Sequence, residues 1–160
     1  MKLEVKNLVK KFKSFTAVKN INFNINDGQT LGVLGPNGCG KTTTIGMLLG
    51  LIKPSNGEIL INDENFENLN REKILSQFNF ASPYVELPKK LTVKENLEIY
   101  GRLYGVKDLT NRIYKISDDL NLGTFLNKKT GELSSGQKNR VSLAKSLINS
   151  PKILFLDEPT

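Results

Sequence analysis

Gly35-Pro36-Asn37-Gly38-Cys39-Gly40-Lys41-Thr42 is the stretch on which the reading of this chain turns. It matches G-x-x-x-x-G-K-[ST] without a gap. Glycines let the backbone wrap with its N–H groups pointing inward, a nest suited to phosphate oxygens. A helix opening at Lys41 aims the positive end of its dipole at the same point. Lys41 adds a mobile charge for β- and γ-phosphates, and the Thr42 hydroxyl is a hard oxygen that can ligate Mg²⁺. The alternative is a chance glycine-rich turn, and the flanks decide against it. Upstream, the turn signal Asn26-Asp27-Gly28-Gln29 feeds an apolar strand predicted over 30–34. Downstream, Ile45, Leu48, Leu49 and Ile52 fall at spacings of 3, 4 and 7, one buried face of a helix over 41–52.

Further out, Leu3 and Val5, and then Ile21, Phe23 and Ile25, alternate with polar residues as half-buried strands do. Pro54-Ser55-Asn56-Gly57 ends the first helix, and 58–61 is another short strand. Residues 62–72 read as loop followed by a short helix, and 78–80 as a strand. The loop over 82–88 is apolar for a loop. Thr92-Val93-Lys94-Glu95 has capping-box spacing, with Val93, Leu97 and Tyr100 on one face of the helix it opens. Ile113, Ile116 and Leu120 suggest a further helix. A last helix starts near Ser135, carries Val141, Ala144 and Ile148, and is broken by Pro151. Residues 153–156 then form a continuous apolar run, as in a strand buried on both faces. Strands, loop–helix, a helical block, then helix and buried strand make an α/β protein with a helical insertion.

The chain is one domain's worth of sequence, 160 residues with 38% hydrophobic and 24% charged, the balance of a soluble globular protein. No apolar run approaches a membrane span, and Lys2, Glu4, Lys6 and Lys10 interrupt the N-terminus before any signal-peptide core forms. The single cysteine cannot make an internal disulfide, which fits a reducing compartment. The absence of histidine removes Ser-His-Asp and Cys-His catalysis and every His-ligated zinc site. The net charge of +7 is compatible with nucleic acid, anionic lipid or a polyphosphate ligand. Lysines spread along the whole chain favour a solvated surface over any one of these.

Two more stretches carry chemistry. Ile153-Leu154-Phe155-Leu156-Asp157-Glu158 puts two carboxylates at the C-terminal end of a strand, where ligands of open α/β sheets bind. Taken alone, such an ending is common. Downstream of a phosphate loop, Asp157 is a candidate for holding Mg²⁺ through water, and Glu158 for orienting or deprotonating an attacking water. Leu133-Ser134-Ser135-Gly136-Gln137 has two readings that stay open. Ser134 and Gln137 have the spacing of a capping box, which helix initiation explains. A capped helix N-terminus behind small residues is also an anion site suited to a γ-phosphate.

The loop from Gly35 through Thr42 and Thr43, then LSSGQ about ninety residues later, then ILFLDEPT resemble the ATP-binding subunit of ABC transporters over nearly the whole chain. The resemblance implies a P-loop NTPase (ABC ATPase) core sheet with an N-terminal antiparallel β subdomain and an inserted helical subdomain. In those terms 1–82 is the β subdomain plus P-loop core, 83–140 the helical subdomain, and 141–160 the return to the core with the Walker B strand. It implies an ATPase using ATP and Mg²⁺, with Lys41 and Glu158 catalytic, and Thr42 and Asp157 at the metal. Gly35, Pro36, Asn37, Gly38, Cys39, Gly40, Thr42 and Thr43 bind the nucleotide held by the same chain. Ser134, Ser135, Gly136 and Gln137 meet that of a second ATP-binding cassette, closing head-to-tail. A transmembrane permease chain converts the cycle into transport, with this subunit cytoplasmic and peripheral on the membrane; no nucleic acid is expected. Phe12 lies where the family places an aromatic on adenine, with a core phenylalanine as the alternative. The segment 92–105 resembles the start of the helical subdomain of ABC-2-type exporters. The loop 84–87 is then either the surface that docks on the permease or internal packing.

Four departures from the family pattern stand out. The Gln-loop glutamine has no assignable counterpart among Asn79, Ser82 and Pro83. Ser135 replaces a glycine, and Cys39 sits where alanine or serine is usual. The family continues past Thr160 with a dimer-contacting loop, further core strands and a histidine at the γ-phosphate. On the resemblance, the chain is therefore the front part of such a subunit, with an unpaired edge beside Asp157. Two other functions stay open: a soluble ABC ATPase acting on ribosomes or DNA, and a fragment that grips ATP without turnover.

Overall fold

Two long strands open the chain, β1 (Leu3–Phe12) and β2 (Phe15–Ile25), paired as an antiparallel hairpin. They begin the first of two units, Met1–Leu75 and Ser76–Thr160. The computed structural model describes residues 1–82 and 86–157. In the first unit, β3 (Asn56–Ile61) pairs antiparallel with β1, and the two-residue β4 (Glu64–Asn65) closes a sheet of order β2-β1-β3-β4. Leu3 and Val5 point inward at period two. The register then slips at Asn7, which takes φ 49°, so that Leu8 rather than residue 7 is buried. The slip explains why the apolar pattern changes phase midway along the strand.

Helix α1 (Lys41–Leu48) is shorter than the expected 41–52. It ends because Gly50, at φ 66°, turns the chain back. The Ile52 N–H then donates to the Gly46 carbonyl at 3.0 Å, so Ile52 approaches the helix from the returning segment. Of the predicted stripe, Leu48 is buried while Ile45, Leu49 and Ile52 are half-buried, and Thr44, Gly46 and Met47 complete the buried face.

The expected strand over 30–34 is not formed. The turn before it is present, with Gln29 N–H donating to Asn26 O at 3.1 Å. Among the described residues, however, no strand pairs with 30–34, and Leu34 is 94% exposed. Apolar content favours a strand only where a neighbour supplies the hydrogen-bond ladder.

In the second unit, β5 (Phe78–Ala81) and β6 (Ile153–Leu156) pair in parallel, Phe78 opposite Ile153. Phe78 and Phe155 meet edge to face, centroids 5.5 Å apart. The apolar run of β6 is not buried on both faces: Phe155 is buried while Leu156 is exposed. Among the described residues its sole pairing is with β5, and Ile153 and Leu154 are half-buried.

Helices α2 (Arg71–Leu75), α3 (Val93–Leu103), α4 (Leu109–Asp119) and α5 (Ser135–Leu147) complete the α/β architecture. The Thr92–Glu95 capping box is formed, each side chain meeting the other residue's N–H. Val93, Leu97, Ile113, Ile116, Val141 and Ile148 bury together where α3, α4 and α5 pack. The Arg112 guanidinium on α4 donates to the carbonyls of Leu147 and Ile148, satisfying orphan acceptors at the end of α5.

Candidate functional site

The loop that opens α1 is exposed from Gly35 through Cys39, so Pro36, Asn37 and Gly38 face solvent. It is tightened by Cys39 N–H donating to Pro36 O at 3.3 Å. Gly38 and Gly40 take φ 80° and 98°, which explains glycine at both positions. Gly40 is the N-cap of α1 and offers no side-chain acceptor. The positive end of the helix dipole at this turn favours an anion. Lys41 folds back on the loop: its Nζ donates to Gly35 O at 2.8 Å and to Pro36 O at 3.0 Å. An ammonium held by two neutral carbonyls is placed to exchange them for charged phosphate oxygens, which bind it about twice as strongly. Thr42 is exposed and Thr43 partly so. The Thr44 hydroxyl is spent on Gly40 O at 2.9 Å.

The β1–β2 hairpin is built onto this loop. A Cβ placed on Gly40 would collide with the Ala17 carbonyl oxygen and lie 3.2 Å from the Val18 side chain. Close backbone contact with β2 is thus a second reason for glycine at this position. The hairpin runs on from Val18, paired with Lys10, to Phe12, paired with Phe15. Phe12 is 47% exposed, so the core alternative for it does not hold. The far end of β1 is clamped by the segment after α1, where Ser55 N–H donates to Val9 O at 2.8 Å and Lys11 N–H to Ser55 Oγ at 3.0 Å.

In the second unit, the segment from Ser134 to Gln137 is a complete capping box. Gln137 N–H donates to Ser134 Oγ at 3.3 Å, and Ser134 N–H to Gln137 Oε1 at 3.0 Å. Ser135 and Gly136 lie between these two residues, both exposed. Asp157 is buried just past β6, its N–H bonded to Ala81 O at 3.0 Å. Glu158 lies outside the described residues, as do Pro83, Tyr84 and Val85.

Of the Gln-loop candidates, Asn79 is committed to structure. Its Nδ2 donates to Asn149 Oδ1 at 2.8 Å, and its Oδ1 accepts from Phe80 N–H and the Tyr104 hydroxyl. Burial raises the Tyr104 phenol above its ordinary range, keeping it a donor. Leu87, from the apolar loop, packs on the helical core while Glu86 is exposed and paired with Lys89 at 2.9 Å. For Leu87, internal packing is what is observed.

A model described as ABC transporter matches residues 18–160. The chain belongs to the ABC transporter family. The probable multidrug ABC transporter ATP-binding protein YbhF of Escherichia coli K12 is 36% identical to this ABC domain over 160 residues, 99% of the domain and 28% of YbhF. The bacitracin transport ATP-binding protein BcrA of Bacillus licheniformis is 39% identical over 161 residues, 99% of this chain and 51% of BcrA. The chain thus spans between 28% and 51% of the length of these two relatives. The dimeric post-hydrolysis ATP-binding cassette MJ0796, solved with ADP and Pi, superposes with a TM-score of 0.83 at 30% identity. That match covers 99% of this chain and 74% of MJ0796. The ABC ATPase fold is therefore that of this chain.

Sequence reasoning missed the supports of the site. Ala17, Ser55 and Lys10 sit in ordinary strand and turn stretches, and their partners are 23 to 44 residues away in the chain. One signal was available: Lys10 and Phe12 are two apart on a strand, a spacing that places side chains on one face.

Proposed function

We propose that this ABC domain binds ATP with Mg²⁺ and hydrolyses it to ADP and phosphate as the energy-supplying part of a membrane transporter. The observation that carries the reading is the Lys41 ammonium seated on Gly35 O and Pro36 O at the mouth of α1. Backbone N–H groups of the loop and of the first turn bind the phosphate chain, and Lys41 neutralises β- and γ-oxygens. The Thr42 hydroxyl and the Asp157 carboxylate are each the kind of hard oxygen donor that Mg²⁺ prefers, so the chemistry of both side chains suits that ion. When bound, Mg²⁺ would neutralise negative charge on the phosphate oxygens. Glu158 accepts the proton of a water that attacks the γ-phosphorus, and the bond to the β–γ bridging oxygen breaks. Phe12 offers its open face to adenine.

In the wider reading, a second cassette presents its own copy of the segment from Ser134 to Gln137 to this chain's ATP, head-to-tail. Exposed Ser135 and Gly136 within the capping box support this, because the box engages the N–H groups of Ser134 and Gln137 and not theirs. A transmembrane permease chain couples the cycle to transport, with the domain peripheral on the cytoplasmic face. Residues 83–140 act as the helical subdomain between the core stretches 1–82 and 141–160. Titration with a fluorescent ATP analogue, alongside phosphate release, tests this. Lys41→Ala should lose at least tenfold in affinity, about 1.4 kcal/mol. Glu158→Gln should bind ATP normally and stop turnover. Absence of ATP binding by the unaltered chain would end the reading, and an unchanged rate in Glu158→Gln would remove Glu158 as the base.

A further inference from the structure

Lys10, Phe12 and Lys53 form a layered arrangement in the first unit that the phosphate chemistry does not use. Lys10 Nζ lies 4.9 Å from the centroid of the Phe12 ring. The ammonium is anchored, donating at 2.7 Å to the carbonyl oxygen of Lys53, in the segment that follows α1. Ser55, two residues further on, is bonded to the same strand through Val9 and Lys11. The ring therefore rests on a cation tied to the far end of the helix whose start carries the 35–42 loop. Gly40 against Ala17 ties the hairpin to the near end. Nearly half of Phe12 is nevertheless open, at 47%.

We propose that Lys10 is a positioning residue for the nucleotide base, acting through the Phe12 ring. The inference rests on the reading of Phe12 as the adenine platform. Aromatic faces carry negative charge, so two stacked π-systems repel one another when face to face. An ammonium fixed on one face draws density from the ring and relieves that repulsion on the other. It also holds the ring in one orientation, so less freedom is lost when a purine stacks. The specificity this confers is for a planar base carried on a polyphosphate, and Lys10 contributes nothing to the phosphates themselves.

The test compares ATP with inorganic tripolyphosphate, which has the charge and no base, by calorimetry on the full chain. Lys10→Met should raise the Kd for ATP about two- to fivefold, the equivalent of the ~0.5–1 kcal/mol of an exposed cation–π contact. It should leave tripolyphosphate unchanged and add nothing in a Phe12→Ala background. Lys10→Arg, which keeps a cation over the ring, should bind like the unaltered chain. Equal weakening of both ligands by Lys10→Met would make Lys10 a phosphate-directed charge and overturn the proposal, as would an undiminished effect in Phe12→Ala. If Phe12→Ala changes the ratio of the two affinities and Lys10→Met does not, the proposal falls while the adenine reading stands. If Phe12→Ala changes nothing, both fall together.

Discussion

Gly40→Ala and Gly38→Ala should differ in cost, although both glycines belong to one loop and one motif. Gly38 takes φ 80° with nothing near its missing Cβ, so alanine there meets backbone strain alone, about 1–2 kcal/mol. Gly40 takes φ 98°, and its added Cβ would collide with the Ala17 carbonyl oxygen. A backbone oxygen cannot rotate away, so either the loop or β2 must shift, at a further cost of about 1–3 kcal/mol. The expected loss for Gly40→Ala is thus about 2–5 kcal/mol, measurable by urea unfolding followed by circular dichroism. Asparagine, which tolerates positive φ, separates the two causes. Gly38→Asn should recover much of the loss at 38, whereas Gly40→Asn should recover none. Hydrogen exchange at the amides of Ala17 and Val18 should quicken for Gly40→Ala only. Equal costs at the two positions, or rescue by asparagine at 40, would refute close packing of the hairpin on the loop.

Two further predictions concern the helical unit. Lys145 is buried on α5 with its Nζ 5.1 Å from the Tyr100 ring, and burial lowers its pKa from the ordinary 10.5. The unfolded chain then holds more protons between the lowered value and 10.5, so stability rises with pH across that window. Lys145→Met should raise the melting temperature at pH 7, by a margin that shrinks as pH approaches 10.5; a margin independent of pH would deny the cause. Arg112→Ala removes two charge-assisted donors from the last carbonyls of α5 and should cost about 1.5–3 kcal/mol in urea unfolding. Arg112→Lys should recover only part, because one ammonium does not match the guanidinium's fork.

Both capping boxes were readable because their partners are three residues apart, and local geometry alone closes the ring of hydrogen bonds. The α3 and α4 faces were readable for the same reason, since Val93 with Leu97 and Ile113 with Ile116 follow helical spacing. Period and length misled at the ends of elements. The run from Ile45 to Ile52 keeps helical spacing, yet Gly50 turns the chain and leaves Leu51 76% exposed. The slip at Asn7 is invisible to a period-two pattern, which has no term for an extra residue.

The sequence by itself determined the 35–42 loop, the helix that follows it, the two capped helices and the order of the three motifs. Each motif and each helix start among these is written in residues close together in the chain. Tertiary structure decided the rest. It placed Phe12 outside the core, set Lys10 beneath its ring through the carbonyl of Lys53, and packed Gly40 on Ala17. Among the described residues it also left 30–34 without a ladder and Leu156 of β6 exposed. Strand pairing and ring contacts join residues distant in the chain, and an apolar run becomes a strand only when a partner strand meets it.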